Sequence, residues 1–69
     1  MNPNVLKGII VANGDTQSGL AGALNISQSW LNRKINQPDK YEFTLMEIDK
    51  IRTRYSLSDA EFMRCFFTK

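Results

Sequence analysis

The sequence predicts an all-helical domain, and three observations carry that reading. Helix-start signals recur roughly every dozen residues, apolar side chains repeat at spacings of three and four, and no alternating strand pattern of useful length occurs. A chain of 69 residues makes a single domain, residues 1–69, which buries only about 60% of its unfolded surface and so owns one modest core.

Asn2 followed by Pro3 is an N-cap with proline at the first helical position, and Leu6, Ile9 and Ile10 give an apolar stripe that ends near Asn13-Gly14. The second helix starts at Asp15 or Thr16 and runs to Leu24 with Leu20, Ala21 and Leu24 on one face. Gly19 and Gly22 each cost about 1 kcal/mol there relative to alanine, so this helix depends on packing, which its small residues allow to be close. Asn25 tolerates a left-handed conformation, Ser27 caps the next helix, and Ile26 staples to Leu31, so the corner is specified locally. The third helix runs from about Gln28 to Ile35. It turns Leu31 and Ile35 inward and Gln28, Ser29, Asn32 and Arg33 largely outward.

Asn36 to Glu42 is a loop by its Asn, Pro and Asp content. Thr44 and Glu47 form a capping box, with Phe43 and Ile48 as its staple. They open a fourth helix that reaches about Tyr55 and buries Ile48, Ile51 and Tyr55. Leu57, Ser58, Glu61 and Phe62 repeat the device for a fifth helix ending in Phe66 and Phe67.

Composition narrows the function. A hydrophobic content of 42% with 23% charged residues belongs to a folded chain rather than a disordered one. One cysteine, Cys65, and no histidine leave neither an internal disulfide nor a zinc cluster, so no metal is expected. General-base and nucleophilic chemistry has no assembled group here, and Cys65, flanked by bulky apolar residues, reads as a buried small hydrophobe. Gly14, Gly19 and Gly22 do not match a nucleotide-binding loop, so neither cofactor nor small-molecule ligand is expected. The N-terminal region supports neither a signal peptide nor a membrane span, and a reducing cytoplasm fits. The net charge is +2 and lies wholly in residues 1–40, beside the helix–corner–helix. A helix fits the major groove of DNA, where Gln28 suits a two-point contact with adenine and Arg33 one with guanine or a phosphate.

The stretch TQSGLAGALNISQSWLNRKIN (Thr16 to Asn36) resembles the helix-turn-helix of the phage Cro and repressor family. The matching residues are Gln17 after a capping Thr16, then Leu20-Ala21, Leu24, and Ile26-Ser27 before the reading helix. The likeness extends through the five-helix order to residues 42–67, which look like the second half of short phage regulators. It implies a five-helix lambda-repressor-like DNA-binding domain with helices two and three as the helix-turn-helix. On that likeness Gln17 touches a phosphate or supports residue 28, while Gln28, Ser29, Asn32 and Arg33 face bases or the adjacent backbone. Asn36 meets phosphate, with Lys40 and Lys34 nearby. The chain departs from the family in having Asn25 for the usual glycine, Gln37 where glycine is common, and Trp30 where a small or β-branched residue is preferred. Trp30 is open to three roles: a wedge against helix two, a contact with a thymine methyl, or an anchor for a partner protein.

Phe62, Met63, Phe66 and Phe67 crowd large apolar side chains into about a turn and a half. Two belong in the core and the others call for cover, either from a protein interface, as in a dimer reading two half-sites about one DNA turn apart, or from simple core packing. The expected function is that of a Cro-like regulator of the lysis–lysogeny switch, binding double-stranded operator DNA as a monomer or homodimer. The rival is an antirepressor or modulator of repression that binds the phage repressor protein, with or without DNA.

Overall fold

Side-chain caps start every helix of the computed structural model, in which residues 1–67 are described. Asn2, Thr16, Ser27, Thr44 and Ser58 cap α1 (Pro3–Ala12), α2 (Gln17–Leu24), α3 (Gln28–Asn36), α4 (Leu45–Tyr55) and α5 (Asp59–Phe66) respectively. Each accepts hydrogen bonds from backbone N–H groups that the first turn leaves without partners. At α4 and α5 the reciprocal bond is present too, because Glu47 and Glu61 accept from the backbone N–H of Thr44 and Ser58. The described residues contain no strand, and no helix among them is long and apolar enough to cross a membrane.

Three of the connections use one backbone device. Gly14, Asn25 and Ser56 have φ of 65°, 59° and 50°, in the left-handed region. The next residue then returns its N–H to the carbonyl five places earlier, Asp15 to Ile10, Ile26 to Ala21 and Leu57 to Arg52. Glycine meets that demand without strain at Gly14, and Asn25 meets it with a short polar side chain. The expected corner at Asn25 is therefore formed, and Ser56 provides an equivalent one at the end of α4.

The core is a single cluster. Leu6, Ile9 and Ile10 of α1, Leu20, Ala21 and Leu24 of α2, Leu31 and Ile35 of α3, Ile51 and Tyr55 of α4, Leu57 of the α4–α5 turn and Cys65 of α5 make it up. Helix α1 packs on α3 and α5, and α2 packs on α3 and α4. Helix α3 ends at Asn36, one residue beyond the expected end, and Ile48 is half-buried rather than buried. Ile48 stands on the flank of α4, lining an open hollow with Met1, Pro38, Phe43, Phe66 and Phe67.

Polar fasteners supplement this small core. Asp15, in the α1–α2 turn, accepts from Arg54 Nε at 2.8 Å and from the Tyr55 hydroxyl at 2.6 Å, tying the turn to α4. Gly19 makes room for that carboxylate: a Cβ there would lie 2.5 Å from Asp15 Oδ1. Hydrogen bonds from Arg54, from Tyr55 and from the Thr16 N–H hold the Asp15 carboxyl well below its usual range. Burial and the bond to Asp15 push the Tyr55 phenol up to about 12.

A depressed folded-state pKa contributes stability above the unfolded value of 3.8 and loses it as pH falls toward the folded value. Asp15→Asn is expected to unfold at lower temperature than the parent chain at pH 7, and the gap is expected to close as pH drops from 4 toward 2. Thermal unfolding of both proteins across that range is the check.

Candidate nucleic-acid interface

Helix α3 commits only Leu31 and Ile35 to the core, both fully excluded from solvent. Residues three and four apart share a helix face, so this pair fixes how α3 is rolled and leaves Gln28, Ser29, Trp30, Asn32, Arg33 and Asn36 exposed. Ile26, partly buried against the core just before the Ser27 cap, sets the entry of α3 from the corner. Across the corner Gln17, half-buried in the first turn of α2, joins Gln28, Ser29 and Asn32 around one shallow polar hollow. Four of the expected residues are thereby brought together from two helices.

A second group forms around Trp30, which is 45% exposed. Its indole meets Tyr41, in the α3–α4 connection, edge to face with centroids 5.6 Å apart. The Arg33 guanidinium lies over the indole at 5.2 Å and the Lys40 ammonium over the Tyr41 ring at 5.4 Å. Arg33, Trp30, Tyr41 and Lys40 thus form a row of two touching rings with a cation at each end, each cation held to a ring face by the ring's quadrupole. This packing makes the indole a support for Arg33, a role outside the three that the sequence left open for Trp30.

Lys34 lies elsewhere. Its ammonium, expected near phosphate, bonds Glu47 Oε1 at 2.6 Å and the Glu42 carbonyl at 3.3 Å, with both charged side chains largely buried. Burial raises the pKa of Glu47, but the bonds from Lys34 and the Thr44 N–H outweigh it and the net shift is downward. Lys34 therefore joins α3 to the capping box of α4.

Asn36 is placed where its amide meets two neighbours. Its Oδ1 accepts from Lys7 Nζ at 3.0 Å and its Nδ2 donates to Asn32 Oδ1. Lys7 and Tyr41 are the two site residues that sequence reading missed. Lys7 lies 29 positions from Asn36, and only the packing of α1 on α3 brings it there. Tyr41 carried a weak signal as an aromatic residue beside a lysine within the α3–α4 loop.

Phe62 and Phe66 of α5 pack partly into the core, while Met63 of α5 and Phe67, its C-cap, are 52% and 64% exposed. Leu45 and Met46, at the start of α4, are 86% and 71% exposed. Cys65 is fully buried and burial pushes its thiol up to about 11. No family model, curated protein or solved structure matches the chain.

The ion pair makes Lys34 structural where Lys40 is peripheral. Lys34→Met strands Glu47 without its partner and is expected to cost about 1–2 kcal/mol in urea unfolding, whereas Lys40→Met is expected to stay within about 0.5 kcal/mol. Equal, negligible effects would show that the pair carries no load.

Proposed function

We propose that the chain is a sequence-specific DNA-binding regulator of transcription, with α2 and α3 acting as a helix-turn-helix and α3 entering the major groove. The observation that carries this reading is the polar hollow shared by Gln17, Gln28, Ser29 and Asn32 at the α2–α3 corner. An arbitrary solvated helix has no reason to gather amide and hydroxyl groups from two helices around its N-terminal turns. Such groups near the start of a helix are what base edges require, since amides and hydroxyls both donate and accept. Arg33, held on Trp30, and Lys40, held on Tyr41, supply positive charge along the same face. Lys40 gives affinity without sequence choice, while Gln28, Ser29, Asn32 and Arg33 supply the choice. The likeness of residues 16–36 to phage Cro and repressor proteins supports a regulator of that type in a bacterial cytoplasm, reading an operator between divergent promoters.

A second reading has its own observation. Leu45, Met46, Met63 and Phe67 leave large apolar side chains in solvent, more than a small chain with one core readily tolerates. On this reading the same domain modulates repression by binding a repressor protein, or pairs with a second copy of itself, through α4 and α5.

Selection of bound duplexes from a random pool, followed by a salt series, separates the two. The first reading predicts enrichment of one site. Affinity should fall with salt at a logarithmic slope on the order of −3, as expected for about three neutralised phosphates. Gln28→Ala and Arg33→Ala should each weaken binding to that site about 5- to 150-fold, the loss of one paired contact. No enrichment, with a stable complex between the chain and the repressor, would favour the second reading.

A further inference from the structure

The chain Lys7–Asn36–Asn32 has a direction that chemistry dictates. A lysine ammonium carries three donors and no acceptor, so the Asn36 atom 3.0 Å from Lys7 Nζ is necessarily the amide oxygen. The Asn36 amide nitrogen is then the end that faces Asn32, and an N–H2 group bonds only an acceptor, so it meets Asn32 Oδ1. Asn32 is left with its oxygen turned to the C-terminal end of α3 and with both hydrogens of Nδ2 unused along the chain. Without Lys7 either amide is free to turn over, because oxygen and nitrogen occupy nearly the same space.

We propose that Lys7 is a positioning residue for specificity: through Asn36 it fixes the amide of Asn32 as a donor toward the DNA. This rests on α3 reading the major groove. A donor needs an acceptor on the base edge, which purine N7, guanine O6 and thymine O4 all provide. Cytosine offers only its amino donor there. Asn32 therefore accepts three bases and rejects cytosine, and the rejection originates in a helix that itself reads nothing. Lys7 is half-buried where α1 packs on α3, and Asn36 closes the last turn of α3, so both ends of the chain are carried by packed elements.

The test uses the duplex that the parent chain enriches from a random pool, with each position in turn replaced by cytosine. The parent chain is expected to lose about tenfold at the position facing Asn32. Lys7→Met is expected to reduce that loss to about twofold or less, while Lys7→Arg, also a donor without an acceptor, retains it. In the free protein, Lys7→Met should move the side-chain amide resonances of both Asn36 and Asn32. If Lys7→Met instead weakens binding by the same factor on every duplex, Lys7 is a phosphate contact only and the proposal falls while the DNA reading stands. If the parent chain enriches no duplex, the DNA reading falls and the proposal with it.

Discussion

Helix α3 is nine residues long and gives the core only Leu31 and Ile35, yet both are wholly excluded from solvent. Everything proposed for the chain depends on that anchorage. Two buried side chains four apart fix a short helix about its own axis, and the Ile26–Ser27 entry fixes its tilt. The remaining positions are then free to be polar without cost to the fold. A nine-residue helix is marginal alone in water, so its polar face persists because α1 and α2 pack behind it.

A domain of this size has little apolar surface to bury, and polar ties across long sequence separations share the task. Asp15 with Arg54 and Tyr55 holds the α1–α2 turn to α4, and Lys34 with Glu47 holds α3 to the start of α4. In both cases a carboxylate already serves its own element, Asp15 bonding the Thr16 N–H and Glu47 closing a capping box. Helix α4 is thus fastened at its first turn to α3 and at its last to the turn before α2. Between those fasteners lies the corner that presents α3.

Local devices were the legible part of the sequence. The caps, the boxes at Thr44–Glu47 and Ser58–Glu61, the left-handed Asn25 and the inward residues of α1, α2 and α3 follow from residue types within about five positions of one another. Pairings over distance were not legible. Lys34 looked like a surface cation because its partner is 13 residues away, and Lys7 and Asp15 find their partners 29 and 39 residues away. Ile48 misled for the same reason: its position in α4 is apolar by pattern, but no element closes over that flank among the described residues. The contact between Trp30 and Tyr41 was not legible either, because it depends on the path of the α3–α4 connection.

On the proposed function, DNA lies on the exposed side of α3 with Gln17 across the corner. Backbone and side-chain amide resonances recorded while the enriched duplex is added test it most directly. The largest changes are expected at Gln17, Gln28, Ser29, Asn32, Arg33 and Asn36, with the core residues of α4 and α5 little moved. Changes concentrated instead at Leu45, Met46, Met63 and Phe67 would contradict it and place the working surface on α4 and α5.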